Sequence, residues 1–150
     1  ASFDKLFGPY LEGARELTVT DPYIRTFHQA RNFMEFIETV VRYKPEHEVV
    51  TVHLVTSEDT YRADQQLENF EKIKASCVPV GIDFTWEFDG TGTIHARHIV
   101  TDNGWKILLD RGLDIYQKFD NREAFDFSNR LQERRPCKAF EVTFIECEAE

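Results

Sequence analysis

The chain has 150 residues, 41% of them hydrophobic with 13 phenylalanines, which suits one domain folded around a single core without staples. Its formal charge of -9 excludes indiscriminate attraction to nucleic acid or anionic membrane, so nucleic acid is disfavoured and any anion site has to be a local pocket. The three cysteines, Cys77, Cys137 and Cys147, are odd in number and lack metal-ligand spacing, which argues for a reducing compartment, no metal and no cofactor.

The chain opens at Ala1 without a signal-peptide pattern, and its one methionine is Met34; the abrupt start of patterned sequence at Phe3 leads us to expect a domain excised from a longer protein. Phe3 to Leu11 reads as a short amphipathic helix interrupted by Gly8-Pro9, and Glu16 to Thr20 as a strand stopped by Asp21-Pro22. Residues 26–43 carry one apolar face (Phe27, Ala30, Met34, Ile37, Val41) and a second (Phe33, Phe36, Val40). Such a helix is expected to bury two sides, and the surplus face predicts a homodimer. Residues 49–55 form a β-branched run, the mark of a central strand covered on both faces, and 59–75 a surface helix with a narrow stripe at Leu67, Phe70 and Ile73.

After a connector at 77–81, strands are predicted at Ile82 to Phe88, 93–100 and Trp105 to Leu109, joined as an antiparallel meander by Asp89-Gly90 and Asn103-Gly104 turns. Residues 121–136 read as loop with a helical turn, and 138–146 as a last half-exposed strand. The fold class is therefore α/β, a mixed sheet with helices on its faces, parallel early and antiparallel late. No apolar run is long enough to span a bilayer, so the expected location is cytoplasmic, peripheral at membranes at most.

Ligands of such sheets sit beyond the carboxyl ends of the parallel strands, which directs attention to Asp21-Pro22-Tyr23-Ile24-Arg25 and Thr56-Ser57. Arg25, His28 and Arg31 stand at the start of the second helix, where free N–H groups favour an anion; ordinary capping accounts for them equally simply. The spacing His95-x-Arg97-x4-Asp102 holds an imidazole, a cation and a carboxylate, the three groups that phosphoryl-transfer chemistry brings to one anion, with His95 and Arg97 expected on one strand face. The alternative is a solvated strand. His53 is a core histidine or the floor of a pocket. Arg111-Gly112-Leu113-Asp114 is a bulge with Asp114 paired to Arg111, or a ligand contact. Arg135, with Arg134 and Lys138, is a solvated loop or the rim of an anion site, and Trp105 belongs to the core.

Phe7-Gly-Pro-Tyr-Leu11, Asp21-Pro-Tyr-Ile-Arg25, His28-Gln29, Asn32-Phe33, His53-Leu54, Thr56-Ser57, Asn103-Gly-Trp105, Arg111-Gly-Leu-Asp114 and Arg135-Pro-Cys137 resemble the phospholipase-D-like C-terminal domain of MIT-domain proteins, in order, over about Leu6 to Thr143. The resemblance implies a phospholipase-D-like fold, binding to phosphoinositide-containing membranes and dimerisation. It also implies a setting beside the ESCRT machinery, or in bacteria within Lon-like ATPases of phage defence. Without a MIT bundle the ESCRT contact does not carry over. Active phospholipases D pair two His-x-Lys-x4-Asp motifs, whereas this chain has one, with arginine at the lysine position. The expectation is therefore a non-catalytic module that binds a phosphate-bearing ligand and self-associates, with Arg25, His28, His53, His95, Arg97, Arg111 and Arg135 as candidate ligand contacts. Two alternatives stand: a phosphodiesterase using His95, Arg97 and Asp102 across a dimer, and a protein-interaction domain of a defence ATPase.

Overall fold

Burial along the strands alternates, and this decides where the helices go. In Val50–Thr56 (β2), Val50, Val52, Leu54 and Thr56 are buried while Thr51, His53 and Val55 are only half-buried. The computed structural model describes residues 1–92, 95–117 and 125–147, apart from the side chain of Asn129. Around β2, Ile82–Phe88 (β3) and Glu16–Thr20 (β1) run parallel to it, and β1 pairs antiparallel with His98–Thr101 (β4). Trp105–Leu109 (β5) and Val142–Glu146 (β6) continue antiparallel, giving one sheet of order β3-β2-β1-β4-β5-β6. The sheet is thus parallel early and antiparallel late, as expected.

One face carries the core. Phe3–Leu11 (α1), Phe27–Tyr43 (α2) and Ala63–Cys77 (α3) all pack there. Phe33 of α2 and Phe70 of α3 meet Phe84 of β3 at centroid separations of 5.4 and 6.0 Å, and Phe7 of α1 meets Phe36 of α2 at 5.6 Å. Tyr10 of α1 stacks on Phe144 of β6 at 4.0 Å. Each such pair adds about 0.5–1.5 kcal/mol beyond the area it buries. The expectation that β2 is covered on both faces is corrected: its β-branched run faces helices on one side only. α2 is flanked by α1, α3 and the sheet, as expected of a helix that buries two sides, with Phe33, Phe36, Ile37 and Val40 buried and Phe27 left exposed.

Local chemistry sets the boundaries. Thr26 caps α2, its hydroxyl accepting from the Gln29 N–H while Gln29 Oε1 accepts from the Thr26 N–H, a capping box that stabilises the helix by about 1 kcal/mol. α1 runs unbroken through Gly8-Pro9. Phe3, Phe7 and Leu11 are buried one turn apart, and Gly8 lies so close to the Tyr43 ring that a Cβ there would overlap it. The predicted β3–β4 hairpin does not form: β3 is the sheet edge beside β2, and β4 lies on the far side of β1. The Asp89-Gly90 turn is real, with Asp89 accepting from Thr91, but a turn signal reports local reversal and not the strand that is joined next. β4 begins at His98, later than expected, and residues 93–94 of the predicted strand lie outside the described residues. The helical turn expected within 121–136 is Phe127–Arg130 (α4), followed by a 3-10 turn at Gln132–Arg134.

Candidate ligand-binding site

Strand order runs outward from β1 in both directions, so the crevice beyond its carboxyl end is the topological switch point at which open α/β sheets bind ligands. Asp21 follows β1 there. The antiparallel strands bring the residues before β4 and after β5 to the same edge, because His98 pairs with both Thr20 and Leu108. Arg97 and the segment from Arg111 to Asp114 thereby arrive beside Asp21. Together with Tyr23, Ile24, Gln29, Asn32 and Leu113 they line a cavity of about 300 Å³.

The loops of this edge are tied down by buried polar side chains. Thr56 Oγ1 accepts from the Ile24 N–H at 3.2 Å. Gln66, from α3, donates to the Ile24 and Ser57 carbonyls, each at 2.9 Å, and accepts from the Asp59 N–H at 2.8 Å. Asp21 is 3% exposed and accepts from the Tyr23 N–H at 2.9 Å. Burial pushes its carboxyl above the usual carboxylate range, opposed by the Tyr23 N–H and the charge of Arg97. Gly112, at φ 60°, lets the chain pass: a Cβ there would overlap the Asp21 carboxylate and crowd the Arg97 side chain.

Two guanidiniums reach the cavity. The Arg97 guanidinium lies over the Tyr23 ring at 4.6 Å and makes no hydrogen bond among the described residues. Arg111, which also lines the cavity, donates its Nε–H to the Ala139 carbonyl at 2.5 Å. Asp114 Oδ2 is held by Lys138 at 2.9 Å, which replaces the expected Arg111 pairing. Its Oδ1 is buried without a hydrogen bond, with His28 Nε2 3.9 Å away. Asn32, 4% exposed on α2, has an Nδ2 that finds no protein acceptor.

The other candidates lie elsewhere. Arg25 sits over Tyr23 at 5.4 Å and lines a separate cleft of about 250 Å³ with Asp59, Tyr61 and Arg62. Its own N–H and that of Thr26 are taken by Gln29 Oε1, so capping, not anion binding, uses the donors at this helix start. His53 lies on the open sheet face, bonded through Nδ1 to Thr85 at 2.7 Å, with Glu87 3.4 Å from Nε2. His95 is exposed and, like Arg97, precedes β4, so the two share no strand face. Asp102 stands at the opposite end of the sheet, accepting from the Arg15 N–H at 2.8 Å, with β4 between it and Arg97. Within one chain the His95, Arg97 and Asp102 side chains are not brought together. Arg135 forms a bidentate pair with Glu35 at 2.7 and 3.0 Å, the two side chains 12% and 13% exposed, under the Tyr116 ring. That pair occupies both terminal nitrogens of Arg135, which also lines a small pocket with His28, Arg31 and Asn32. No His, Cys, Asp or Glu cluster among the described residues could hold a metal.

Asn32 escaped attention as a ligand group. The available signal was polar residues at i and i+3, Gln29 and Asn32, on a helix turn whose other inward residues are apolar.

The fold is an open α/β sheet with a polar, arginine-bearing cavity at its switch point. The family model described as a phospholipase D-like domain at the C-terminus of MIT matches residues 1–146, and the chain belongs to that family. It is 37% identical over 138 residues to MIT domain-containing protein 1 of Mus musculus, a match covering 91% of this chain and 53% of the relative. The chain thus spans about half the length of that relative.

Proposed function

We propose that this phospholipase-D-like domain is a non-catalytic module that binds a phosphate-bearing headgroup, such as that of a phosphoinositide, and so attaches peripherally to membranes. The observation that carries the reading is Arg97: its guanidinium, half-buried on Tyr23 and free of protein hydrogen bonds among the described residues, lines a cavity it shares with Arg111. Charge-assisted hydrogen bonds to phosphate contribute about 1.5–3 kcal/mol each, enough to hold one group on a negatively charged molecule. The separation of Asp102 from Arg97 supports binding without turnover. No helix among the described residues is long and apolar enough to cross a membrane, so attachment would run through the headgroup.

Self-association belongs to the same proposal, through the sheet face that no helix among the described residues covers. Val100 and Ile145 are 39% and 40% exposed there, on neighbouring strands to either side of Lys106. The test is flotation with vesicles of phosphatidylcholine alone and with added phosphatidylinositol phosphates, at two salt concentrations. Binding that needs the phosphorylated lipid and falls about tenfold or more in Arg97→Ala supports the reading. Equal behaviour on both vesicles sinks it and favours the protein-interaction alternative.

A further inference from the structure

The spacing of α2 puts Phe27 on the same face as Ala30, Arg31 and Met34, yet Phe27 is 71% exposed while Ala30 is 5% exposed. These residues form one side of a groove of about 220 Å³ whose other side is α3, with Ile73 at 7% exposure and Lys72 beside it. Phe27 also lines the cleft of about 250 Å³ that holds Arg25, Arg62 and Tyr61, the last 94% exposed. The groove and the cleft therefore adjoin at one phenylalanine that the core leaves in water. Neither shares a lining residue with the cavity at the switch point. Charge decides what such a surface takes. Four of the 18 Lys and Arg residues line it, Arg25, Arg31, Arg62 and Lys72, against one of the 27 carboxylates, Asp59, among the described residues. On a chain of formal charge -9 this is a local reversal of sign, complementary to an acidic partner. Asp59 is already engaged by the N–H groups of Tyr61 and Arg62. Lys72 pairs with Glu68 at 3.1 Å, both side chains exposed, and such a surface pair exchanges readily for another carboxylate.

We propose that this surface docks an acidic amphipathic helix of a partner protein. One apolar side chain of that helix fills the groove over Ala30 and Ile73, a second covers Phe27, and its carboxylates reach Arg25 and Arg62 on one side and Arg31 and Lys72 on the other. Residues 27 to 34 of α2 make two turns, about 10 Å, which matches apolar anchors one or two turns apart on a helix laid alongside. The concavity argues for a protein side chain over a bilayer: a membrane takes up groups that project, and the most buried apolar groups here, Ala30 and Ile73, are recessed. The inference stands apart from the phosphate reading, since it uses different residues on different elements.

The experiment is selection of a displayed library of random peptides, about 16 residues long, on the intact 150-residue chain, followed by fluorescence polarisation with the enriched peptides made synthetically. Enriched peptides should carry a large apolar residue with Asp or Glu about one turn away. Phe27→Ala should weaken them about tenfold or more, and Arg62→Glu and Lys72→Glu about threefold or more each with a flatter salt dependence. All three side chains are exposed, so the fold is not at stake in these variants. Arg97→Ala should leave the affinity within about twofold of wild type. A proline placed between the two anchors of the peptide should abolish binding, because it breaks the helix. Failure to enrich any peptide, enrichment of peptides without acidic residues, or affinity untouched by Phe27→Ala overturns the docking surface. Tolerance of the proline overturns the helical occupant. Flotation on phosphatidylserine vesicles that is lost in Phe27→Ala, with no peptide selected, would give this surface to the membrane and also overturn the proposal.

Discussion

The carboxylate of Asp21 occupies the space into which any side chain at Gly112 would project. One residue follows β1 and the other follows β5, so this contact closes the cavity wall across the sheet's switch point. Gly112→Ala should therefore suffer twice, from its φ of 60° and from overlap with Asp21. A left-handed backbone alone costs about 1–2 kcal/mol, and the overlap should bring the loss to roughly 3 kcal/mol in urea unfolding. In an Asp21→Ala background the same substitution should cost about 1 kcal/mol less, because the colliding group is gone. Strict additivity of the two changes would show that the contact does not govern the loop.

The pair of Arg135 with Glu35 predicts a defect in stability, not in binding. Removing one partner of a buried, bidentate pair strands the other charge, a loss of about 3–5 kcal/mol. Arg135→Ala should lose stability on that scale in chemical denaturation, and Arg135→Met with Glu35→Leu should recover most of it. Folded Arg135→Ala protein that has lost phosphate affinity while keeping its stability would return this arginine to the binding surface.

Two carboxyls should titrate on opposite sides of the ordinary aspartate range. Burial raises Asp21. Burial also acts on Asp4, but the hydrogen bonds from Arg42 and Thr39 outweigh it and lower that group. A raised carboxyl binds its proton more tightly in the folded chain, so its contribution is fully present below the unfolded value and fades as pH rises through the folded one. The lowered carboxyl of Asp4 contributes above the unfolded value and fades as pH falls through the folded one. Carboxyl-carbon NMR titration should order Asp4 below Asp21; the reverse order would contradict the packing around both.

Much of the frame was legible because it is written locally. The apolar spacing of residues 26–43 marked α2, Asn103-Gly104 the β4–β5 turn, and Asp21-Pro22 the stop after β1. Contacts between residues far apart in the chain were not legible. Arg135 and Glu35 lie 100 positions apart, and nothing beside Arg135 announces its partner, so a cluster of positive charge read as an anion-site rim. His-x-Arg-x4-Asp does not converge within one chain for a related reason. Its spacing presumes that the three side chains converge, but four residues of β4 stand between Arg97 and Asp102, on the order of 13 Å of extended strand.

That separation gives the last prediction. Asp102 accepts from the Arg15 N–H, and Asp102 N–H donates to the Glu16 carbonyl at 3.1 Å, so the residue fastens the start of β1 to the end of β4. Asp102→Ala removes one exposed acceptor and should lower stability by about 1 kcal/mol. Phosphate affinity, which depends on Arg97 at the other end of the strand, should stay within about twofold of wild type. The chain should also show no hydrolysis of a chromogenic phosphodiester above the uncatalysed rate, with or without His95→Ala, because no carboxylate of the motif reaches the histidine within one chain. Turnover that vanished in both His95→Ala and Asp102→Ala, with the fold intact, would mean that a second copy supplies the missing residue and that the domain is an enzyme after all.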